Sequence, residues 1–415
     1  MSDSESAAKV PQHAKMSQFE VVDNCLKIGG VSLPDLAETV GSTPFYAYDR
    51  KVMDAQVKAL RHALPPDIHL HYAMKANPMP EVVQHLASIT DGLDVASAGE
   101  LRVALATGVD PASISFAGPG KSGEDLSAAV SGGVIINMES VTEMQRLAAL
   151  AQGSGKRPKV AIRVNPDFEL KSAGMKMGSG PKPFGVDAEQ VPAMLEALAD
   201  LPLEFMGFHI FSGSQNLREQ AIIEAQTKTF ELAARLSQSA PAPVRWLNIG
   251  GGLGIPYFPG EQRLDLTRIG DNLATLVDAV RAQSPEVEIV MELGRYLTAE
   301  AGIYVCEIVD RKVSRGETFL VTNGGLHHHL AVSGNFGQVI RKNYPVCVGN
   351  RVSGETEEVT VVGPLCTPLD ILGHRINLPV TEPGDLIVIF QSGAYGLTAS
   401  PRDFLSHPHP AEVLL

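Results

Sequence analysis

Cysteine is scarce in this sequence, and the four residues present form no recognisable pattern. They are Cys25, Cys306, Cys347 and Cys366, and no two of them have CxxC spacing. Neither a disulfide framework nor a zinc cluster is therefore indicated, and the expected location is the reducing cytoplasm.

Long apolar runs and an excess of positive charge are also missing. No stretch reaches the length of a membrane span, and residues 1–16 lack the basic and then apolar pattern of a signal peptide. We expect a disordered polar tail there. Lys and Arg number 34 against 47 Asp and Glu, which gives a formal net charge of -13. Such an acidic surface argues against nucleic acid or an anionic membrane as a partner.

Short apolar runs alternate with helix-like segments from about Ile68 to Tyr296, which is typical of alternating strands and helices. Amphipathic helices are predicted between the runs, and Arg50 to Leu64 forms another before the first of them. The predicted strands are residues 68–74, 92–97, 114–118, 133–138, 159–164, 204–211, 244–249 and 288–293. Eight such repeats predict an α/β fold, the (β/α)₈ TIM barrel.

The pattern changes after Tyr296. Runs rich in β-branched residues, at 303–309, 358–362 and 386–390, are separated by turn residues and show no helical period. We therefore predict a barrel domain over residues 45–296 and a mostly β domain over 297–415. The segment 17–44 is expected to join the β domain.

Barrels of this kind carry their chemistry at the C-terminal ends of the strands, and polar residues gather there in this sequence. Lys75 follows the first strand. A lysine that leaves an apolar strand would be partly desolvated, which lowers its pKa and frees the amine to react with a carbonyl. An ordinary lysine whose amine reaches solvent fits the local sequence equally well.

Glycines and two charged residues follow strands seven and eight. Gly250, Gly251 and Gly252 can bring backbone N–H groups to a phosphate, and Arg295 would add a guanidinium. A glycine triplet alone is more often a turn. Glu292 lies within an apolar strand and needs a cationic partner, which a protonated pyridine nitrogen or Arg163 could supply.

Two further features have no single interpretation from their residues. His327, His328 and His329 are consecutive, so in an extended segment they point to opposite faces, and we predict no metal site. Cys366 can be a small buried hydrophobic residue or a reactive one.

Several motifs in a fixed order resemble those of the fold-type III pyridoxal phosphate (PLP) decarboxylases. This family contains diaminopimelate and ornithine decarboxylases, and its barrel is of the alanine racemase type. The resemblance runs over nearly the whole chain from about Thr43. The motifs are YAMKAN, DVASAGE, RVNP, GSQ, NIGGG, ELGRY, GPLC and GDLIVIFQSGAYG.

The resemblance implies that PLP binds as a Schiff base to Lys75 and that Glu292 faces its pyridine nitrogen. It also implies a head-to-tail homodimer with shared active sites. Cys366 of one subunit would protonate the carbon that has lost CO₂ in the site of the other. Further cofactor contacts are implied for Asp94, Arg163, His209, Phe211, Ser214, Gly250, Gly251, Gly252, Gly294, Arg295 and Tyr395.

Three departures from the family pattern bear on the substrate. Phe211 replaces the second histidine of the usual HxHxGSQ, which keeps stacking on the cofactor ring but removes a hydrogen-bonding group. Thr367 replaces the acid that binds the distal amine, while Asp370 is retained. Losing that acid argues against diaminopimelate and ornithine, because their distal ammonium would be left unpaired. The segment 323–348 fits the usual substrate-binding stretch loosely, and the expected substrate contacts are Thr367, Asp370, Arg341 and Tyr344.

The chain most resembles the branch associated with exosortase and exopolysaccharide clusters, and next the glutamyl-carrier-protein decarboxylase of aminoglycoside assembly. We expect decarboxylation of an amino acid, either free or tethered to a carrier protein. A PLP-dependent racemase is the first alternative, although that branch places an arginine where Glu292 stands. A silent PLP-binding regulatory homologue is the second, and the presence of Lys75 and Cys366 argues against it. A PLP-carrier protein is the third alternative, but it predicts a barrel alone and does not explain the β domain.

Overall fold

The structure is a computed structural model that describes residues 11–169, 175–176, 178 and 180–415. Eight parallel strands close into a ring in which the fourth strand pairs with the fifth and the eighth with the first. A short additional strand, Val186–Asp187, pairs with the fifth from outside the ring. The ring strands, one to eight, are Ile68–Ala73, Gly92–Val95, Ile114–Phe116, Ile135–Met138, Lys159–Asn165, Glu204–Ile210, Trp246–Asn248 and Glu288–Leu293. The predicted (β/α)₈ barrel is confirmed.

A helix follows each strand of the ring. In order they are Pro80–Ala87, Ala98–Ala106, Gly123–Gly132, Val141–Ser154, Val191–Leu198, Glu219–Ser237, Thr267–Arg281 and the short Arg295–Thr298, and Arg50–Ala63 precedes the ring. Serine side chains cap the second, third and fourth of these helices. Ser97, Ser122 and Ser140 each accept a hydrogen bond from the backbone N–H three residues later. These caps satisfy free N–H groups at the starts of the helices and so favour helix formation at those positions after the strands.

The second sheet has eight strands in all, and its longest strand is Gly302–Ser314. The first half of this strand pairs with Leu386–Ile389 on one side, and its second half pairs with Glu317–Thr322. The remaining strands are Phe45–Tyr48, Val346–Val348, Thr356–Val362, Ile371–Pro379 and Ala411–Leu414. The predicted mostly β C-terminal domain is therefore present.

The strand Phe45–Tyr48 belongs to this second sheet. The predicted barrel domain begins at residue 45 and so includes this strand, and that boundary is wrong. It pairs antiparallel with Gly302–Val305 and parallel with Ala411–Leu414. All four of its residues are buried, including Tyr46 and Tyr48 with their polar hydroxyl groups. A strand buried on both faces shows no alternation of polar and apolar residues, so its sequence does not reveal which sheet it joins.

The N-terminal segment forms a small sheet of its own from Val21–Val22, Cys25–Ile28 and Val31–Ser32, followed by the helix Leu33–Val40. It contacts the β domain through single backbone hydrogen bonds, such as Leu26 N to Gly349 O at 2.8 Å. The segment thus lies against the β domain, as expected, without extending its main sheet.

The described part of the predicted tail, from residue 11, is held by other parts of the chain. Gly260 N donates to Gln12 O at 2.8 Å, and Arg263 Nη1 donates to Lys15 O at 3.0 Å. His13 Nε2 lies 2.9 Å from Asn343 O. The expectation of disorder up to residue 16 is wrong for residues 12–15, because their backbone carbonyls find donors on neighbouring loops. Residues 1–10 lie outside the described part of the chain.

None of the described helices combines the length and the apolar character needed to cross a membrane.

Candidate active site

Lys75 lies on a single 3₁₀ turn, Met74–Ala76, directly after the first barrel strand. Met74 and Ala76 are buried, whereas Lys75 is exposed to the cleft at the strand end. Hydrogen bonds to backbone carbonyls fix the turn: Tyr395 N donates to Ala76 O at 2.8 Å, and the Tyr72 hydroxyl donates to Asn77 O at 2.8 Å. The sequence YAMKAN therefore buries its apolar residues and leaves the lysine facing the cleft.

One cleft contains Lys75 together with many of the predicted cofactor residues. They come from the ends of strands one, six, seven and eight and from the loop after Leu386–Ile389. The lining residues are Ala73, Lys75, Phe211, Ser214, Gly252, Leu253, Glu292, Leu293, Gly294, Arg295, Tyr296 and Tyr395.

Arg295 is the residue of this cleft best suited to bind a phosphate group. Its guanidinium lies 4.6 Å from the centre of the Tyr395 ring, and Nη1 donates to the Tyr257 hydroxyl at 2.9 Å. Desolvation lowers its pKa, but the two tyrosines raise it by more, so the group stays charged. Its Nε has no hydrogen-bond partner among the described residues. Tyr257 was not predicted, since an isolated tyrosine in a loop carries no motif.

The glycines after strand seven allow close packing of the rim. Gly250 and Gly252 have φ values of 68° and 84°, a left-handed conformation that favours glycine. A Cβ atom on Gly251 would lie 2.0 Å from the carbonyl oxygen of Glu292, so only glycine lets the two strand ends meet. One part of the prediction needs correction. Gly250 N donates to Asn248 Oδ1 at 2.8 Å and is therefore occupied by the protein itself.

Glu292 is buried among hydrogen-bond donors at the end of strand eight. Asn248 Nδ2 donates to its Oε2 at 3.2 Å, and His209 Nε2 lies 3.3 Å from the same oxygen. Burial raises the pKa of Glu292, but His209, Lys75 and Arg163 together lower it well below its usual range. The carboxylate is therefore ionised at neutral pH. Asn248 is a second residue that the sequence analysis missed.

The alternative ion pair between Glu292 and Arg163 does not form. Arg163 Nη1 donates instead to Glu139 Oε1 at 2.7 Å, and the guanidinium lies 5.2 Å from the centre of the Phe184 ring. Glu292 thus remains free to face a cation that enters the cleft.

The direction of the Lys75 pKa shift corrects our expectation. Desolvation lowers the pKa of Lys75, as the sequence argument requires, but Tyr395 and Glu292 raise it by more, so the net shift is upward. The free lysine is protonated at neutral pH and must lose a proton before it can attack a carbonyl. Burial alone would lower the pKa, but the acidic groups of the same rim outweigh it.

Asp94 lies at the end of strand two, one strand away from Lys75. It accepts a hydrogen bond from the Ser115 hydroxyl, and His71 Nδ1 lies 3.6 Å from the same oxygen. Its second carboxylate oxygen is buried and has no hydrogen-bond partner among the described residues. Asp94 is not among the residues that line the Lys75 cleft.

Cys366 is exposed on the loop between Thr356–Val362 and Ile371–Pro379, in the β domain. It does not line that cleft, and neither does Thr367. The structure of one chain therefore does not bring Lys75 and Cys366 together.

Asp370, predicted to contact substrate, points into the protein. Its carboxylate accepts hydrogen bonds from Leu326 N at 2.6 Å and from Leu365 N at 2.9 Å. It thereby anchors the Cys366 loop to the segment after Glu317–Thr322. The prediction of a substrate ligand is wrong for this orientation, because backbone donors occupy both oxygens.

Arg341 and Tyr344 are also engaged within the chain. Arg341 Nη2 donates to Ile371 O, which ties the segment after residue 335 to the Cys366 loop. Tyr344 is buried, with its ring 4.8 Å from that of Tyr257, the partner of Arg295. Tyr344 thus lies behind the Arg295 end of the cleft.

The three consecutive histidines are buried and neutral. Burial lowers the pKa of His327 to about 4 and those of His328 and His329 to about 3. His328 Nδ1 lies 3.1 Å from the Tyr304 hydroxyl, and His329 Nε2 lies 3.0 Å from Ser392 Oγ. Within the described residues no group of three or more His, Cys, Asp or Glu could hold a metal ion.

The cleft residues fit PLP. An amine, an ionised buried carboxylate and a guanidinium with a free Nε face one space, and a phosphorylated pyridine aldehyde has one matching group for each. Together the barrel and this cleft define a PLP-binding enzyme of the (β/α)₈ class.

Comparison with known proteins agrees. Residues 50–299 match the family described as pyridoxal-dependent decarboxylase, pyridoxal binding domain. The chain belongs to this family, uses PLP and is an amino-acid decarboxylase. This outcome favours decarboxylation over the racemase and silent alternatives.

Curated relatives extend over nearly the full chain. An L-glutamyl-[BtrI acyl-carrier protein] decarboxylase from Niallia circulans is 40% identical over 379 residues, covering 90% of this chain and 88% of its own. A diaminopimelate decarboxylase from Aquifex aeolicus is 32% identical, covering 96% and 92%.

Solved structures have the same fold. Diaminopimelate decarboxylase from Helicobacter pylori, complexed with L-lysine, superposes with a TM-score of 0.82 at 27% identity, covering 92% of this chain and 94% of its own.

Proposed function

We propose that the chain is a cytoplasmic homodimer that decarboxylates, at Lys75, an amino acid without a distal ammonium group, presented as an aminoacyl group on a carrier protein. The observation that carries the catalytic part is the single cleft shared by Lys75, Glu292 and Arg295. We also propose that it belongs to the branch associated with exosortase and exopolysaccharide clusters, a prediction that rests on the sequence pattern alone.

Each side chain has a separate task in this proposal. Lys75 would bind the cofactor aldehyde, and Arg295, with Ser214 and Gly252, would bind the phosphate. Glu292 would hold a proton at the pyridine nitrogen, and PLP when bound supplies the electron sink for the bond that breaks. Phe211, which lines the same cleft, would pack against the cofactor ring. Since an ionised Glu292 already exists in the free chain, this part of the site is preorganised.

In this proposal a second subunit supplies the protonating group. Cys366 is exposed and does not line the Lys75 cleft of its own chain, which supports a role in the site of a partner. Exposed apolar residues occur in the same two segments: Leu369 lies in the Cys366 loop, and Val339 and Ile340 are 100% and 74% exposed in the segment that Arg341 ties to Ile371. Exposed large apolar residues that lie together are typical of a protein interface.

Mixing two impaired variants tests the shared site. Lys75→Ala and Cys366→Ala each spoil both sites of a homodimer, but a heterodimer has one site with both native residues. Because Cys366 acts after CO₂ has left, formation of the amine product is measured, and equal mixing with subunit exchange is expected to restore about a quarter of its wild-type rate, since half the dimers are mixed and half their sites are intact.

Lys75→Ala mixed with Lys75→Ala/Cys366→Ala is the matched control, and it should stay inactive. If the first mixture also stays at the sum of the two variants while subunit exchange is demonstrated, the two residues do not share a site across subunits.

The substrate class follows from Thr367, which follows Cys366 where diamine-forming enzymes carry an acid. A hydroxyl cannot neutralise a distal ammonium, and an unpaired charge at that site would be rejected by orders of magnitude. The Niallia circulans relative is named for a glutamyl group on an acyl-carrier protein, which has no such ammonium. In this proposal the glutamyl group is joined to the carrier through its side-chain carboxyl, which leaves the α-amine free to react and the α-carboxylate free to leave as CO₂.

A CO₂-release screen tests this substrate class. L-Glutamate, diaminopimelate and ornithine are assayed free, beside L-glutamyl-acyl-carrier protein. We expect turnover of the carrier-bound glutamyl group to exceed that of the diamine-forming acids by at least about 10²-fold in kcat/KM. Preferential turnover of diaminopimelate or ornithine would contradict the assignment of Thr367.

A further inference from the structure

Glu139 is a buried carboxylate for which neither the motifs nor the cleft provide a role. It is the residue directly after the fourth barrel strand, Ile135–Met138, and its side chain is 2% exposed. A charge so deeply buried is costly unless several donors compensate it. Its partners therefore indicate what it does.

The carboxylate joins four segments of the active-site rim. Oε1 accepts hydrogen bonds from Gly118 N, after strand three, at 2.6 Å and from Arg163 Nη1, in strand five, at 2.7 Å. Oε2 accepts from Gly185 N, in the segment after strand five, at 3.0 Å. Both oxygens are occupied, so the direction of the carboxylate is fixed.

Arg163 is held between two fixed groups. Its guanidinium donates to Glu139 and lies over the Phe184 ring at 5.2 Å, next to Gly185, which Glu139 also binds. The cation lies close enough to the cofactor residues to lower the pKa values of both Lys75 and Glu292. Arg163 thus lies behind the cleft lining, near enough to act electrostatically on Lys75 and Glu292, and it pairs with Glu139 and not with Glu292.

Lys121 is the other buried cation of this region, but it forms its own ion pair and is not available to replace Arg163. Lys121 Nζ donates to Glu143 Oε1 at 2.7 Å and to the carbonyls of Gly118 and Asn137, which uses its donors. Desolvation raises the pKa of Glu139, but Arg163 and then Lys121 lower it by more, so Glu139 is an anion. Direct contact with Glu139 is therefore made by the Arg163 cation.

We propose that Glu139 is a positioning residue that holds Arg163 against Phe184 and keeps this cation from pairing with Glu292. The proposal rests on the proposed function, in which Glu292 serves the pyridine nitrogen. Without the Glu139 anion, Arg163 would be a buried cation with no partner, and Glu292 would be an available carboxylate. A guanidinium on Glu292 would compete directly with the protonated pyridine.

The test replaces Glu139 by glutamine, which keeps the size and one acceptor but removes the charge. Purified holoenzyme is examined by its near-ultraviolet and visible absorbance, by its Kd for PLP and by its thermal midpoint. We expect Glu139→Gln to change the absorbance spectrum of bound PLP and to raise the Kd by about tenfold or more, as for other groups that orient a ligand's contacts.

Asp385→Asn is the matched control. Asp385 is another buried carboxylate with an arginine partner, Arg351 at 2.5 Å, and a backbone donor, Glu382 N at 2.9 Å, but it lies in the β domain. We expect this variant to lower the thermal midpoint while the PLP spectrum and Kd stay at wild-type values. A purely structural role for Glu139 would give the same pattern and would overturn the proposal.

A double variant separates positioning through Arg163 from an independent effect. If Glu139 acts through Arg163, then Glu139→Gln added to Arg163→Met raises the PLP Kd by less than twofold beyond Arg163→Met alone. Full additivity of the two changes would refute the proposal. The proposed function is tested separately by comparing the PLP absorbance spectra of the wild-type protein and Lys75→Ala. If the two spectra are the same, Lys75 does not bind the cofactor and the proposed function is contradicted.

Discussion

Replacing Lys75 with alanine is expected to abolish CO₂ release, lowering kcat by several orders of magnitude. Lys75 is the exposed member of a turn whose other residues are buried, and it is the lysine among the residues that line the cleft. No second lysine lines this cleft among the described residues, so no other amine is placed to replace it and the loss should be complete. CO₂ release and the visible absorbance of bound PLP measure the effect.

Lys58→Ala serves as the control for this variant. Lys58 is exposed on the helix Arg50–Ala63, where alanine is a better helix former, so both readouts should stay at wild-type values. CO₂ release from Lys75→Ala at the normal rate would show that the cofactor lysine has been assigned to the wrong residue.

Glu292→Gln is expected to lower kcat by about 10²- to 10³-fold, the usual loss when one fixed electrostatic group is removed. Glutamine keeps the shape and can still accept from Asn248 Nδ2, but it cannot hold a proton at the pyridine nitrogen. Because the pKa of Glu292 is depressed, the wild-type carboxylate is charged across the neutral range and the effect should persist throughout it. Steady-state CO₂ release measures the loss.

Glu288→Gln provides the comparison on the same strand. Glu288 lies at the other end of Glu288–Leu293, partly exposed, 3.5 Å from His69 Nδ1. An exposed pair of this kind contributes little, so this variant should retain wild-type kcat. A Glu292→Gln enzyme within twofold of wild type would mean that the carboxylate does not serve the cofactor.

Alternation of apolar and helical segments predicted all eight barrel strands, because each strand is a short apolar run bounded by turn residues. The same rule predicted that Lys75, Glu292 and Arg295 share a rim, since the carboxyl ends of parallel strands meet. Local sequence sufficed there because neighbours in space are also neighbours in the repeat.

Contacts between distant segments were not predictable in this way. Glu139, Asn248 and Tyr257 are single polar residues, and their importance comes from partners that only folding brings near. The predicted direction of the Lys75 pKa shift was wrong for the same reason. Asp370 was misassigned because a sequence does not show whether a carboxylate turns to the cleft or to backbone donors.

The pairing of Phe45–Tyr48 with Gly302–Val305 and Ala411–Leu414 makes the β domain discontinuous along the chain. During synthesis, Phe45–Tyr48 is therefore made before either of its partner strands. It gains its first partner only when Gly302–Val305 has been made, after all eight barrel strands, and its second when Ala411–Leu414 follows. Until then it is an apolar strand without a partner, and an unpaired apolar strand is a site of aggregation.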